Sequence, residues 1–491
     1  MRYTEWTKIA PVGKFLVIFL SLCSLAGCST NPATGEQQFT ALLPASQEAS
    51  VGAQEHQKVE KAFGGFISGP VANYVADIGR RVAANTERSD VQYKFYVIDS
   101  PDVNAFAIPG GYIYVTRGLL ALANTEADVA GVLGHEIAHI TARHSAERAS
   151  QGFLVGLGAA VLGAATGSSG VAQAANVGSD LLIKSYSRGQ ETQADELGVR
   201  YLTRAGYDPY AMASFLKSLD AQSKLDARIA GRDSQMPSYF STHPVTAERV
   251  TQATAVAATY PKANYKVLRE NHLVAVKGLI YGDSPDQGFV KNNTFYHPKI
   301  GFAFDIPSGY NVENTPSKVL AVSRDNGTVF MFDAVGDKSG RDPLSFLREV
   351  WLKNEPVDQP ESITVNGMRA ATAGFSGTVN GKPATIRVVA VEWQPGQFFR
   401  FQMAIPPNSP KQVVDGLKRT TYSLRRLSES EKNSLKPPHI ALVPAKPGDT
   451  VASLGAQMAV PSFREEQFRV LNGLMGGEPL VTGRMYKIVS N

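Results

Sequence analysis

The sequence predicts an α+β protein of several domains: a mainly helical unit with a small β-sheet, then an α/β sandwich, then a small βα unit. Three observations predict it. Apolar residues recur at helical spacing through most of residues 46–260. Alternating apolar and polar residues take over across 293–427, and a Pro- and Lys-rich stretch, 435–448, reads as a linker to a last small unit. At 491 residues the chain is also too long for one ordinary core. Expected boundaries are 1–27, 28–45, 46–275, 290–430 and 446–491.

The chain opens with basic residues ahead of the apolar run Phe15–Leu22, followed by Leu25-Ala26-Gly27-Cys28. That is the pattern of a secretory signal peptide with small residues before a cleavage point, and its apolar run is too short to span a bilayer. The segment resembles the bacterial lipobox, which implies acylation of Cys28. Ser29 after it implies the periplasmic face of the outer membrane. The only other cysteine, Cys23, lies inside the signal, so a mature chain has no thiol for a disulfide and any metal site must use His and carboxylates. Net charge is only +5 with no basic stripe, which argues against nucleic acid as a partner.

Residues 29–45 are polar and turn-rich and read as a tether. Helices follow at about 46–62 and 70–86, the second carrying Val71, Tyr74, Val75, Ile78 and Val82 on one face. Tyr93–Ile98 reads as a strand. Asn104–Leu120 combines an extended segment, a Pro-Gly-Gly turn and a β-rich run, predicting a hairpin or edge strand. Ala105, Phe106 and Ala107, or the nearby strand Tyr112–Val115, then offer an edge to which a peptide could add as an extra strand. Thr125 is a good N-cap for a helix running to about Arg148. The uncharged stretch 149–179 reads as a lid or buried loop pair. More helices are expected at about 180–205 and 209–222, and the helical region closes with Pro244–Tyr260. In the β-rich unit, Asn380-Gly381 between Ala371–Val379 and Ala384–Trp393 signals a hairpin.

The string that carries chemistry is Gly134-His135-Glu136-Ile137-Ala138-His139. On a helix, positions i and i+4 lie about 40° apart. His135 and His139 therefore present two imidazoles from one face, while Glu136, about 100° round, can reach a water beside them. Catalytic zinc wants three protein ligands and an open position. The third could be a histidine shortly after the motif or a carboxylate on a later helix. His144 is turned off the ligand face by its spacing and reads as a surface or packing histidine. Glu191 is the better choice, with Asp195 one turn on to orient a ligand histidine; the ordinary alternative for this pair is a solvated acidic face.

GHEIAHITARH together with SRGQETQADELG resembles the CAAX prenyl protease family of gluzincin zinc metallopeptidases, in its periplasmic bacterial lipoprotein branch. CSTNPATGEQQF and NAFAIPGGYIYVTRGLL fit the same branch, and the likeness covers about residues 28–260. It implies one zinc ion per chain held by His135, His139 and Glu191, with Glu136 as general base and Asp195 behind the ligands. His243-Pro244 and Arg249 match a further family pattern and imply catalytic roles, His243 as an oxyanion donor. Whether His243 also fills the open metal position at rest, as a latch, stays open.

The implied function is a zinc endopeptidase acting on misfolded or unassembled envelope proteins. The alternative is a latched, mainly non-proteolytic outer-membrane assembly factor or chaperone. Residues 294–314 (TFYHPKIGFAFDIPSGYNVEN) resemble the opening of PsbP/Mog1-like domains. The last unit, with Pro447–Val451, Asn472-Gly473-Leu474 and Gly483–Ile488, resembles a LysM fold. Implied partners are peptide substrates, the membrane through the N-terminal lipid, and peptidoglycan through the LysM-like unit.

Overall fold

The computed structural model describes residues 28–152, 185–230 and 243–491, apart from residues 324, 380 and 476. The signal-like residues 1–27, residues 153–179 of the uncharged stretch, the start of the helix expected from residue 180, and Asn380 of the hairpin signal lie outside the described residues. The chain is a mixed α+β protein of several sheets. Among the described residues no helix is long and apolar enough to cross a membrane.

The first unit begins with a small antiparallel hairpin, β1 (Cys28–Thr30) and β2 (Gln37–Phe39). Expected as a tether, this segment is folded: Asn31, Gln38, Thr40 and Leu43 are buried. The reason is a clamp from Arg143, which donates to Ser29 Oγ at 2.9 Å and to the Leu43 carbonyl at 2.8 Å while pairing with Glu48 at 2.7 Å. Helix α1 (Ala45–Phe63), β3 (Phe66–Ile67) and α2 (Pro70–Ala83) follow. The helical spacing noted in α2 buries Val75, Ile78 and Val82. Strands β4 (Lys94–Ile98), β5 (Ala105–Ile108) and β6 (Tyr112–Thr116) complete a sheet of order β3-β4-β6-β5. β4 and β6 run parallel, and β5 and β6 form the antiparallel hairpin turned by Gly110 and Gly111, both at positive φ.

Helix α3 (Arg117–Leu122) leads into α4 (Glu126–Thr141), every residue of which is buried. Thr125 caps α4 as expected, in a reciprocal box with Asp128. The helix was expected to reach Arg148; α4 ends at Thr141, because Arg143 adopts a left-handed backbone (φ 58°) and breaks the regular helix. Around α4 pack α5 (Arg188–Arg204), α6 (Ala211–Ala230) and α8 (Arg269–Val276), and α7 (Ala247–Ala258) packs in turn on α5 and α6.

The β-rich unit holds one seven-stranded antiparallel sheet, order β10-β11-β12-β16-β15-β14-β13, with β10 (Tyr310–Asn314), β11 (Lys318–Ser323), β12 (Val329–Gly336), β13 (Asp358–Val365), β14 (Met368–Val379), β15 (Lys382–Gln394) and β16 (Gln397–Ile405). A four-stranded sheet of order β17-β9-β8-β7 joins β7 (Phe289–Lys291), β8 (Thr294–His297), β9 (Phe302–Asp305) and β17 (Arg425–Arg426). Phe302, Phe304, Phe332, Phe399 and Phe401 form its aromatic core. β14 and β15 pair with Val379 opposite Lys382, the register of a two-residue turn.

The last unit runs strand, helix, helix, strand: β18 (His439–Pro444), α9 (Val451–Gly455), α10 (Arg464–Leu471) and β19 (Met485–Ser490). It begins in the stretch read as a linker, because Ile440 and Val443 pair across to Val489 and Tyr486. Its apolar face does not close on itself. Ile440, Leu454, Phe468, Tyr486 and Ile488 join the same buried cluster as Ile78, Leu119, Leu133 and Phe215. Lys487 is fully buried there, and its ammonium donates to the carbonyls of Ala121 (2.7 Å) and Ala123 (2.6 Å), at the C-terminal end of α3.

Candidate metal centre

Two helices bring the chemistry together. On α4, one turn apart, His135 and His139 aim their Nε2 atoms at each other, 3.1 Å apart. On α5, Glu191 sits in the first turn after the Ser187 cap. Its Oε2 is 3.5 Å from His135 Nε2 and its Oε1 3.5 Å from His139 Nε2. The helices approach this closely because they cross at glycines: a Cβ on Gly134 would lie 3.1 Å from the Gly198 carbonyl oxygen, and one on Gly198 would lie 3.1 Å from the His135 nitrogen. His243, just before α7, adds its Nδ1 at 2.8 Å from Glu191 Oε1 and 3.2 Å from His135 Nε2. All four side chains are buried, and their donor atoms lie within 4.8 Å of one another.

Behind this set stands a clasp of charges. Asp195 Oδ1 lies 3.0 Å from His135 Nδ1. Arg249 donates to both oxygens of Asp195 (2.7 and 2.8 Å), meets Glu191 Oε2 at 2.7 Å, and donates to the Pro244 carbonyl at 3.0 Å. Burial opposes ionisation of Asp195 and Glu191, yet Arg249 and His135 hold the Asp195 carboxyl below its usual range, and His243, His135 and His139 hold Glu191 far below it. Burial likewise opposes a charge on His135, but Asp195 and Glu191 outweigh it and raise that imidazole to about 10. Burial pushes Glu136 the other way, up, against the opposing pull of His243 and His135. Both Glu136 oxygens are buried with no hydrogen-bond partner among the described residues; His243 Nε2 is 3.7 Å from one.

These residues fit a divalent metal. Zinc bound at about 2.0–2.2 Å in a tetrahedron sets neighbouring donors about 3.3–3.6 Å apart, close to the 3.1–3.5 Å edges between His135, His139 and Glu191. The charge agrees. Glu191 and Asp195, both held ionised, face one guanidinium, Arg249, and draw His135 toward its cationic form, so the pocket favours positive charge. Imidazole and carboxylate donors without thiolate suit zinc.

A family model, Peptidase family M48, matches residues 71–257. Metalloprotease LoiP of Escherichia coli (strain K12) is 30% identical over 249 residues, covering 48% of this chain and 92% of that protein. The chain belongs to peptidase family M48. M48 peptidases are zinc-dependent metallopeptidases. Other M48 relatives are longer. The beta-barrel assembly-enhancing protease of Yersinia pestis is 31% identical over 250 residues, 46% of this chain and 50% of that one. The mitochondrial metalloendopeptidase OMA1 of Schizosaccharomyces pombe is 32% identical over 181 residues, 37% and 51%. The chain thus spans about half the length of these relatives. Cyanobacterial PsbP (CyanoP) from Synechocystis sp. PCC 6803 aligns with 28% of this chain and 91% of that one, at a TM-score of 0.21 and 10% identity, too distant to define the β-rich unit.

The cluster brings together His135, Glu136, His139, Glu191, Asp195, His243 and Arg249, each singled out from the sequence. Ala105, Phe106 and Ala107 lie elsewhere, on β5, the edge strand of its sheet, with both side-chain faces packed. Cys28 lies outside the cluster, exposed at the start of β1. Two neighbours were missed. Tyr186 is buried and stacks on His139, ring centroids 3.7 Å apart; it directly precedes the Ser187 cap, which was the available signal. His144, read as a packing histidine, is buried and 2.8 Å from His139, because the left-handed Arg143 swings it back toward the site.

Proposed function

We propose that the protein is a zinc endopeptidase of the bacterial cell envelope that hydrolyses misfolded or unassembled envelope proteins. The observation that carries this is Glu136: a fully buried carboxylate with no hydrogen-bond partner among the described residues, beside three donors spaced for a metal. A scaffold has no use for such a group, whereas a general base must keep its oxygens available for a water.

In this reading His135, His139 and Glu191 hold zinc, which when bound supplies Lewis acidity toward a carbonyl or a water. Glu136 accepts a proton from the attacking water and delivers it to the departing amine. His243 offers an N–H to the carbonyl oxygen as charge builds there. Asp195 fixes the His135 ring through Nδ1, and Arg249 holds Asp195, Glu191 and the Pro244 carbonyl as one unit. The edge at Ala105, Phe106 and Ala107 aligns an extended peptide by main-chain hydrogen bonds.

The relatives named beta-barrel assembly-enhancing protease and metalloprotease support an envelope setting. Anchoring through an acylated Cys28 to the periplasmic face of the outer membrane, a PsbP/Mog1-like unit at 290–430 and a LysM-like, glycan-binding unit at 446–491 belong to the same proposal. The strand-helix-helix-strand order of the last unit supports the LysM part. A second reading has one observation in its favour. His243 Nδ1 is spaced like a fourth donor, which suits a latched site in a mainly non-proteolytic assembly factor or chaperone.

Zinc content and casein cleavage of the wild type and Glu136→Gln test the reading. The variant is expected to keep its zinc and lose cleavage by a factor of about 10²–10⁴. Equal cleavage rates would sink the mechanism, and a wild type that binds zinc without cleaving would favour the latched reading.

A further inference from the structure

We propose that His144 is a positioning residue for His139, and that the N-terminal hairpin takes part in holding it through Gln193 and Asn31. The proposal rests on the reading of His139 as a metal ligand.

A chain of polar groups runs out from the site, from the buried histidines to the half-buried Gln193. His139 Nδ1 is 2.8 Å from His144 Nδ1; His144 Nε2 is 2.8 Å from Gln193 Oε1; Asn31 Nδ2 donates to that same oxygen at 3.1 Å. The amide orientations are fixed by their other partners. Gln193 Nε2 donates to the Glu36 carboxylate at 3.2 Å, so Oε1 must be the end that faces His144. Asn31 Oδ1 accepts from the Ala33 N–H at 2.9 Å, so its NH₂ must be the end that faces Gln193.

From there every proton is determined. Gln193 Oε1 only accepts, so His144 Nε2 carries a hydrogen. If His144 Nδ1 also carried one, His139 would have to accept it at Nδ1 and turn an N–H toward Glu191 and His135, which no metal ligand can do. His144 therefore accepts at Nδ1, His139 donates from Nδ1, and the His139 Nε2 lone pair faces the donor cluster. Hydrogen bonding to the far nitrogen is what fixes a ligand histidine's tautomer and ring angle.

The two ligand histidines of α4 are thus backed differently: His135 by the Asp195 carboxylate, His139 by a neutral imidazole. Both supports trace to α5, Asp195 directly and Gln193 through His144, the two lying two residues apart there. The hairpin closes the far end. Asn31 is 3% exposed, and the turn it starts is held by Asn31 N–H to Glu36 carbonyl (2.7 Å) and Gly35 N–H to Asn31 carbonyl (2.9 Å). Residues 28–43 are in this view a working part of the metal centre.

The test uses the full chain. Zinc affinity is measured by competition with a chelating dye, and the visible absorption bands of the Co(II)-loaded protein report ligand geometry. His144→Leu, with no acceptor for His139, is expected to bind zinc 10–100-fold more weakly and to shift the Co(II) bands. His144→Asn, which can accept through Oδ1, is expected to recover most of both, and Asn31→Ala to show a smaller loss than His144→Leu. A wild type that binds no zinc would overturn the metal reading itself. A wild type that binds zinc beside a His144→Leu protein with equal affinity and unchanged bands would overturn the positioning role alone. Should His144→Leu not fold, Gln193→Leu is judged by the same two measurements.

Discussion

Arg249 grips Asp195 with two parallel N–H donors, 2.7 and 2.8 Å from the two carboxylate oxygens, and spends its third nitrogen on Glu191. One side chain of α7 thereby fixes two carboxylates of α5 that themselves face the histidines of α4. A fork of this shape is specific to guanidinium; an ammonium is a point donor and cannot make both contacts at once.

Arg249→Lys is therefore expected to fold but to bind zinc about 10–100-fold more weakly, with cleavage falling in step at limiting metal. Arg249→Met leaves two buried carboxylates without their cation and is expected to cost about 3–5 kcal/mol of stability. Zinc titration and chemical denaturation check the pair. A lysine variant with wild-type zinc affinity would show that the fork is dispensable.

The crossing of α4 and α5 gives a second prediction. A Cβ at Gly198 would meet Met212 Cε at 2.7 Å and the His135 nitrogen at 3.1 Å, whereas at Gly189 its nearest neighbour is Ser187 Oγ at 4.0 Å. Gly198→Val is expected to lower stability by about 1–3 kcal/mol through overpacking and to weaken zinc binding with it, since Glu191 moves with α5. Gly189→Ala on the same helix is expected to leave both unchanged or raise stability slightly. Melting temperature and zinc affinity, read together, decide it.

A third concerns pH. Burial pulls Lys487 down to about 7 from the ordinary 10.5, only partly opposed by Asp128. Between pH 7 and about 10 the unfolded chain holds this proton and the folded chain does not, so stability rises with pH across that window; below 7 both forms are protonated and the burial penalty is fully present. The wild type is thus expected to gain melting temperature relative to Lys487→Met as pH rises from 7 to 9.5. A gap that stays constant with pH would show that Lys487 keeps its ordinary pKa in the fold.

Local signals made much of this legible. The Thr125 cap, the His135/His139 spacing and the Glu191/Asp195 pair depend on helical geometry alone, and all reappear where expected. The helix end at Thr141 did not. A left-handed Arg143 is favoured only once the hairpin and Glu48 bond its guanidinium, contacts made by residues about a hundred positions away. The contact of His144 with His139 was hidden for the same reason, since its direction follows from that break. His243 shows the limit from the other side: its His-Pro pattern was recognisable, but its place beside Glu191 depends on how α7 packs, which no spacing encodes.

The buried cluster that unites Leu133 with Phe468 and Ile488 sets an order of events during synthesis. The α4 helix leaves the ribosome about 340 residues before the strand that seals its surroundings. Until β19 packs, the carbonyls of Ala121 and Ala123 lack the Lys487 nitrogen that meets them, and the apolar residues that the first unit shares with the last are not yet covered. The surroundings of His135 and His139 thus stay incomplete until a strand of a distant unit has packed against them.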